Sequence, residues 1–334
     1  GRTERSGRAL CLSIVRQRPL RRVPLLPWDS PRSSAILHPL RRVEGGRGEG
    51  GRRVWGYIAE AMRSVGRIAL VAYACLFLFA WFLSDRIIFQ PHPSSYADGA
   101  PYLKIPVPGG GTVAVRHIVV PGADFTILFS HGNAEDLGNI SPALSAFASR
   151  GFSVAAYDYS GYGASSGRPS ERAAYANIRA VYDYLRFEQG VAPERIVAFG
   201  RSVGSGPSVE LALREPIGGL VLESAFVSAF RVLTILPILP FDRFDNIRKI
   251  PSVRCPILFI HGRRDEIVPF PHGPALYNRA RSPKMCLWVP GAGHNDVMTT
   301  AGGAYWEALL VFARRVRATD RERSGATSPS TEGR

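Results

Sequence analysis

The pentapeptide GRSVG at 200–204 is a G-x-S-x-G motif, a pattern that can present a serine hydroxyl for nucleophilic attack. It follows the apolar run RIVAF (195–199) and opens a helical pattern over 202–214. A tight strand-to-helix turn exposes such a serine, and glycines on both sides remove side chains that would clash there. The motif alone is short and unspecific, but in this context it predicts Ser202 as a nucleophile.

A serine nucleophile of this type needs an acid and a histidine, in that order, further along the chain. Asp265 lies in HGRRDEIVP, just past the apolar run PILFI, where a carboxylate can accept a histidine N–H. We therefore predict Asp265 as the orienting acid. Glu266 is the alternative beside it, and Glu223, in VLES, is interpreted as an ordinary acid at the end of a strand.

The base is predicted from the seven histidines of the chain. Only His272 and His294 follow Asp265, and His294 stands among small residues in GAGHND, where its ring can reach across to the serine. His272 opens a helical pattern and is expected at the surface. His131 and His261 each precede a glycine at the end of an apolar run, which favours a structural role or a place in the oxyanion loop.

Two backbone N–H groups are expected to stabilise the oxyanion that forms when the serine attacks a carbonyl. One belongs to the residue after the nucleophile, Val203. The second comes from the loop after an early strand, and in SHGNA (130–134) we predict Asn133. The expected reaction is acyl transfer to Ser202, followed by hydrolysis of the acyl-enzyme.

Short apolar runs alternate with amphipathic stretches from about residue 95 to residue 318. Buried strands interleaved with helices predict an α/β domain with a mostly parallel, doubly wound sheet and helices on both faces. Together with the serine motif, this pattern predicts the α/β-hydrolase fold. The predicted strands are 112–120, 125–130, 152–158, 195–200, 219–224, 256–262 and 284–290, and the predicted helices are 139–150, 171–188, 202–214, 274–280 and 301–317.

An insertion at 225–250 is too irregular to be a simple crossover helix, and we interpret it as a small lid. Four of its apolar residues are predicted to line an acyl-binding pocket: Val232, Leu233, Ile235 and Leu236. The alternative, weighed equally, is that these side chains only pack on the domain. The tail 319–334 is polar and is expected to be disordered.

Residues 1–61 are rich in Arg, Gly and Pro and are predicted to be disordered, either as sequence upstream of a start at Met62 or as a transit peptide. Residues 62–90 are predicted to form an N-terminal membrane anchor, because Arg63 and Arg67 precede an uncharged apolar run at 68–84. A cleaved signal peptide is the less favoured alternative. The basic flank predicts a single-pass protein with its catalytic domain on the non-cytoplasmic side.

The net charge of +15 does not indicate nucleic acid as a partner. Residues 1–61 hold 13 basic and 5 acidic residues, so they supply +8 of it, and only three lysines occur in the chain. Phosphate-binding surfaces normally use both lysine and arginine. The four cysteines show no CxxC or zinc-like spacing, so neither a metal nor another cofactor is expected.

Five long segments resemble the α/β-hydrolase-domain serine hydrolase family that includes animal protein depalmitoylases and their single-span, membrane-anchored fungal and bacterial relatives. These segments are LFSHGNAEDLG (128–138), YDYSGYGASSGRPSER (157–172), GRSVG, IHGRRDEIVPF (260–270) and LWVPGAGHND (287–296). The resemblance implies the same roles for Ser202, Asp265 and His294. The animal depalmitoylases carry an N-terminal cysteine cluster, whereas only Cys11 precedes the apolar run here, which favours the single-span relatives.

The function expected from the sequence is a membrane-anchored serine hydrolase that cleaves an acyl ester or thioester, with a lipid-like substrate. Two alternatives stay open. One is a serine peptidase of the same fold. The other, from a different class, is a catalytically silent membrane-bound interaction protein.

Overall fold

A computed structural model describes residues 10–12, 49–99, 101–234 and 236–325 of the chain. The chain divides into two compact units. One unit comprises Gly1–Ile14 together with Leu83–Arg334, and the other comprises Val15–Phe82. The larger unit contains the sheet and all the predicted catalytic side chains.

The described part of the smaller unit is helical, since helix α1 spans Glu49–Ile88 and thus ends in the larger unit. Its stretch Val54–Ile88 is long and apolar enough to cross a membrane, judged by length and composition alone. Large apolar side chains along it are exposed, with Trp55 at 70% and Phe82 at 72%. Soluble proteins rarely expose so long an apolar surface.

The amino-terminal region differs from its prediction in two places. Helix α1 begins at Glu49 rather than Met62, because each residue added to an existing helix forms a further backbone hydrogen bond. Leu10–Leu12 form strand β1 at one edge of the sheet, paired in parallel with residues 285–287. At the other end, α8 runs on to Gly325, beyond the predicted limit at 318.

The sheet has nine strands among the described residues, in the order β1-β9-β8-β7-β6-β4-β5-β3-β2. Strand β3 pairs antiparallel with both β2 and β5, and all other pairs are parallel. All seven predicted strands are present. The strands other than β1 are β2 Tyr102–Pro106, β3 Thr112–Ile118, β4 Thr126–Ser130, β5 Ser153–Tyr157, β6 Ile196–Arg201, β7 Gly219–Glu223, β8 Ile257–Gly262 and β9 Lys284–Val289.

Helices cover both faces of this sheet, as the interleaved pattern predicts. Successive residues of a strand point to opposite faces, and in β4 Leu128 belongs to one core while Ile127 and Phe129 belong to the other. Every residue of β4 is buried, so neither face meets water. The helices after α1 are α2 Ser141–Ala148, α3 Glu171–Asp183, α4 Ser205–Arg214, α5 Asn246–Lys249, α6 His272–Arg279, α7 Val297–Ala301 and α8 Gly303–Gly325.

The predicted lid, residues 225–250, follows β7 and is only partly packed. Its first residues, 225–228, are buried, and Phe244 is fully buried in the core. Between them the chain forms a short 3-10 turn, Phe230–Val232, and then exposes Leu233 (83%) and Leu236 (70%). The segment is therefore anchored at both ends and apolar at its tip.

Candidate active site

The turn between β6 and α4 holds Ser202 in a left-handed backbone conformation, with φ at +53°. This region is costly for a non-glycine residue, so the surrounding packing must enforce it. A Cβ on Gly200 would lie 2.5 Å from the Gly204 carbonyl oxygen, and one on Gly204 would lie 2.1 Å from that of Ser130. The two motif glycines are thus required by close backbone approach, which forces the serine outward.

The predicted nucleophile, base and acid lie together at the carboxyl ends of β6, β9 and β8. His294 Nε2 is 2.9 Å from Ser202 Oγ. On the other side of the ring, His294 Nδ1 is 2.8 Å from one Asp265 carboxylate oxygen and 3.0 Å from the other. His294 and Asp265 are 5% and 8% exposed, so these contacts are shielded from water. The arrangement can remove a proton from the serine hydroxyl as that oxygen attacks.

Asp265 is surrounded by hydrogen-bond donors. Its Oδ1 accepts the backbone N–H groups of Ile267 (3.0 Å) and Val268 (2.7 Å), and His261 Nε2 lies 3.3 Å from its Oδ2. Burial alone would raise the pKa of Asp265, but the hydrogen bonds from His261, His294 and Val268 outweigh it and hold the pKa well below its usual range. The acid is therefore ionised and orients His294 with Nδ1 as its proton-bearing nitrogen.

The two other candidate acids have different surroundings. Glu266 Oε2 accepts the backbone N–H of His294 at 3.3 Å, so this residue supports the histidine loop. Glu223 is 4% exposed and accepts a 2.5 Å hydrogen bond from the Tyr305 hydroxyl. Burial raises the pKa of Glu223, against the opposing charge of Arg201 and the bond from Tyr305.

The remaining histidines of the larger unit are held in local contacts. His131 is fully buried, with Nδ1 2.7 Å from the Gly132 carbonyl oxygen and Nε2 3.3 Å from Asp158. His272 was expected at the surface, but its Nδ1 accepts the Val227 N–H at 3.1 Å, so it contacts the buried first residues of the lid. Among the side chains that the structure describes, no group of three or more His, Cys, Asp or Glu residues is arranged to hold a metal ion.

The loop 131–136, which contains the predicted donor Asn133, lies against the nucleophile turn. A Cβ on Gly132 would be 3.7 Å from Ser202 Cβ, and Gly204 touches the Ser130 carbonyl as described above. Within the described residues the Asn133 N–H donates to no backbone carbonyl or side chain, whereas the Gly132 N–H is taken by Glu135 Oε2 at 2.8 Å. Val203, the other predicted donor, is buried directly after Ser202.

An ion pair that sequence reasoning missed joins the same two segments. Arg201 Nη2 donates to Glu135 Oε1 at 2.7 Å, and Arg201 Nε is 3.8 Å from Glu223. Both partners of the 2.7 Å bond are about four-fifths buried. The sequence offered one indication of this ion pair. The motif GRSVG contains an arginine, and the segment SHGNAE contains a glutamate of opposite charge.

The residues predicted to bind substrate are scattered around the lid. Val232 is half-buried and packs against the core, while Leu233 and Leu236 point into solvent. Ile235 lies outside the described residues. Val232 and Leu233 line a cleft of about 350 Å³ that also includes Pro271 and His272 but none of the three catalytic candidates. Their role in holding an acyl chain stays a prediction.

Comparisons with known proteins agree with this architecture. A family model described as serine aminopeptidase, S33, matches residues 122–239. Alpha/beta hydrolase domain-containing protein 17B of Homo sapiens is 45% identical over 195 residues, which cover 58% of this chain and 67% of that protein. Alpha/beta hydrolase domain-containing protein aho-3 of Caenorhabditis elegans is 46% identical over 199 residues, and the match covers 58% of each.

Solved structures share the fold at low sequence identity. The esterase Pf2001 of Pyrococcus furiosus superposes with a TM-score of 0.57 at 19% identity, covering 68% of this chain and 99% of the esterase. The esterase domain of a Rhodothermus marinus protein gives a TM-score of 0.51, also at 19% identity, over 64% and 97% of the two chains. The chain therefore belongs to the family of alpha/beta hydrolase domain-containing proteins, whose fold is that of the serine hydrolases.

Proposed function

We propose that this protein is a membrane-anchored serine hydrolase that cleaves an acyl ester or thioester through Ser202, His294 and Asp265. The observation that carries the proposal is the continuous chain of contacts from Ser202 Oγ to His294 Nε2 and from His294 Nδ1 to Asp265, at 2.9 and 2.8 Å. Catalytic geometry of this kind is recognised by the roles of its groups rather than by their positions in a sequence.

The reaction begins when Ser202 Oγ attacks the carbonyl carbon and its proton moves to His294 Nε2. The carbonyl π electrons pass to oxygen, and the resulting oxyanion accepts hydrogen bonds from the N–H groups of Asn133 and Val203. Collapse of this intermediate breaks the bond to the leaving group, an alcohol or thiol, which takes the proton from His294. Water repeats the sequence on the acyl-enzyme, releasing a carboxylic acid and restoring Ser202.

The pair of oxyanion donors is supported by position rather than by a bound ligand. Asn133 directly follows Gly132, which lies against Ser202, and its N–H has no backbone or side-chain acceptor in the described residues. The Val203 N–H follows the nucleophile and lies in the first turn ahead of α4, whose N-terminal dipole adds positive potential. Removing one such donor typically costs about 100- to 1000-fold in kcat.

Charges near the nucleophile favour an acyl ester or thioester over an aminopeptidase substrate. An unpaired carboxylate close to the serine would favour binding of a free α-ammonium group. Two carboxylates beside the nucleophile turn, Glu135 and Glu223, both face Arg201, and each accepts a further hydrogen bond. Both carboxylates are therefore already paired with protein groups rather than free to bind an ammonium group. The apolar lid tip, with Leu233 and Leu236 exposed, supports a lipid-like acyl group.

The membrane anchor is supported by the length and apolar composition of Val54–Ile88. Arg63 and Arg67 before the uncharged run 68–84 favour a cytoplasmic amino terminus and a catalytic domain on the opposite side. Carbonate extraction of membranes tests the anchor. Protease protection in sealed vesicles tests the orientation, and cleavage of the catalytic domain from the cytoplasmic side would contradict it.

Labelling with a fluorophosphonate probe tests the chemistry. The unaltered protein should be labelled, and Ser202→Ala should abolish both labelling and hydrolysis while the protein stays folded. Turnover should then be measured on acyl esters, acyl thioesters and aminoacyl amides of matched size. Absence of labelling would support the silent interaction protein, and a preference for the amides would support the peptidase.

A further inference from the structure

The segment that follows helix α1, residues 89–96, crosses the loop 131–136; we name these segments the strap and the oxyanion loop. The strap begins with Phe89, which is 2% exposed. The Phe89 ring makes edge-to-face contacts with Tyr159 and Tyr162 at centroid distances of 6.0 and 6.4 Å. At its far end, the Tyr96 hydroxyl donates to the buried Asp158 and accepts the Ala164 N–H. Both ends of the strap are therefore fixed in the hydrolase core.

Between these ends the strap contacts the oxyanion loop three times in succession. Gln90 N–H donates to Asn133 Oδ1 at 3.0 Å. His92 Nε2 donates to the Ala134 carbonyl oxygen at 3.0 Å. Ser95 donates its N–H, at 2.6 Å, and its hydroxyl to the two carboxylate oxygens of Asp136. The two segments thus run side by side, and each contact holds a different residue of the loop.

Tyr162 completes the first of these contacts. Its hydroxyl accepts the Gln90 N–H at 2.8 Å and donates to Asn133 Oδ1 at 2.6 Å. Burial raises the pKa of Tyr162 far above its usual range, so the hydroxyl remains a proton donor wherever the enzyme is folded. The Asn133 side chain is therefore held by two donors. These bonds fix the residue whose own backbone N–H has no acceptor among the residues that the structure describes.

His92 supports the most strained point of the loop. Ala134 is a non-glycine residue with φ at +53°, a conformation that persists only when neighbouring contacts enforce it. Both ring nitrogens of His92 face carbonyl oxygens, with Nδ1 2.9 Å from Pro93 and Nε2 3.0 Å from Ala134. The bond to Pro93 raises the pKa of His92, which favours the imidazolium form that donates on both sides.

We propose that the strap, together with Tyr162, positions the oxyanion hole. In this proposal His92 and Ser95 of the strap, and Tyr162 beside it, are positioning residues that hold the Asn133 N–H toward the reacting carbonyl. The inference rests on the proposed function, because it assigns Asn133 to the oxyanion of that reaction. The same loop touches Ser202 through Gly132, so a small shift of the loop moves the donor relative to the nucleophile. Misplacing a catalytic group by about 1 Å can cost about 100-fold in rate.

The test uses Tyr162→Phe and Ser95→Ala in the full-length protein, because both changes delete one hydroxyl and little volume. Tyr182→Phe is the matched control for the first, since the Tyr182 ring is equally buried and its hydroxyl bonds the Pro216 carbonyl and Arg186, both remote from the oxyanion loop. Ser149→Ala is the control for the second, because the Ser149 hydroxyl donates to the Ala146 carbonyl of its own helical turn. Fluorophosphonate titration gives the active fraction of each preparation.

Three readouts separate positioning from simple structural damage. Tyr162→Phe should lower kcat per titrated site by about 10- to 100-fold and leave KM unchanged, because the oxyanion forms only after substrate binds. A trifluoromethyl ketone forms a tetrahedral oxyanion on Ser202, so its affinity should fall by the same factor as kcat/KM. Adding Asn133→Ala to Tyr162→Phe should cost no more than Asn133→Ala alone, since both changes break one link.

Several results would overturn the proposal. The proposal is wrong if Tyr162→Phe and Ser95→Ala both leave kcat and the ketone affinity unchanged. It is also wrong if the loss of activity in each variant equals the loss of titratable active sites. If Tyr162→Phe fails to fold, Ser95→Ala alone decides by the same measurements. If Ser202 is labelled normally and both variants keep full activity, the strap has no positioning role, but the proposed hydrolase function still stands. Absence of that label in the unaltered protein would instead remove the hydrolase, and the strap's role with it.

Discussion

Arg201, the residue before the nucleophile, donates a 2.7 Å hydrogen bond to Glu135 in the oxyanion loop. The two residues are 66 positions apart in the chain, yet the bond ties the β6–α4 turn to the loop that faces it. Glu135 also accepts the Gly132 N–H, so one side chain fixes both the loop and its relation to Ser202. This link joins two parts of the site that β6 and β4 position separately.

Glu135→Gln should weaken that link, because the amide nitrogen cannot accept from Arg201 and leaves a partly buried cation less well paired. We expect the free energy of unfolding to fall by about 1.5–3 kcal/mol, the usual value for a hydrogen bond to a charged group, and we expect kcat to fall as well. Asp124→Asn breaks the exposed pair with Arg317 and should change stability by less than about 1 kcal/mol. Equal effects of the two changes in urea unfolding would contradict the special role of Glu135.

Ser202→Gly should be more stable than Ser202→Ala. Both variants lose the hydroxyl, but only glycine adopts φ near +53° without a steric cost. The expected difference in the free energy of unfolding is about 1 kcal/mol in favour of glycine. Urea unfolding of the two inactive proteins measures it, and a less stable glycine variant would mean that the turn is not strained at this residue.

Asp265→Asn should reduce kcat by about 10⁴-fold, because His294 is then free to take the wrong tautomer. Glu266→Gln should have a much smaller effect, since the amide oxygen can still accept the His294 backbone N–H. Glu223→Gln keeps an acceptor for Tyr305 and should also be mild. If kcat fell furthest in the Glu223 variant, the orienting acid would lie at the end of β7 instead of after β8.

Acid should destabilise the protein partly through Asp265. The pKa of Asp265 in the folded state lies well below the value of about 3.9 expected in an unfolded chain. Its contribution to stability is therefore complete above that unfolded value and is lost as the pH falls from there toward the folded pKa. Urea midpoints below about pH 4 should drop more steeply for the unaltered protein than for Asp265→Asn. Parallel curves would refute this.

A protein starting at Met62 should remain fully active and should still fractionate with membranes. The sheet strands β2 to β9 and the three catalytic candidates lie beyond residue 95, and the uncharged run 68–84 with its basic flank is retained. Fractionation and fluorophosphonate labelling of both lengths check this. A soluble, inactive product would show that residues 1–61 are a working part of the protein.

Sequence reasoning selected three catalytic candidates that lie together in the structure, because each is tied to a local pattern. Ser202 sits in a motif between a strand and a helix, and Asp265 and His294 follow buried apolar strands whose carboxyl ends meet at one edge of the sheet. The same logic found seven of the nine strands. It missed β1, which lies in the segment predicted to be disordered, and β2, since YLKIP has a charged residue and a largely exposed pattern. A strand at the edge of a sheet buries few side chains, so it lacks the apolar run by which the other strands were predicted.

The strap and the Arg201–Glu135 pair could not be found in this way. Their hydrogen bonds join residues 41 to 72 positions apart, and the residue types involved are common anywhere in a protein. The apolar lid shows a similar limit. A run of leucine and isoleucine predicts that these side chains pack against an apolar surface. In the structure Leu233 and Leu236 are exposed, whereas Val232 packs inward. Composition gave no means to tell these three apart.

The donors around Asp265 have a consequence for the movement of hydrogen during turnover. Two backbone N–H groups and two histidines converge on this carboxylate, so it cannot take up a proton while the serine is deprotonated. Only the proton that passes between Ser202 and His294 is then expected to be transferred in the transition state when acyl transfer limits the rate. In mixtures of light and heavy water, the rate should accordingly vary linearly with the deuterium fraction, as expected for a single transferred hydrogen.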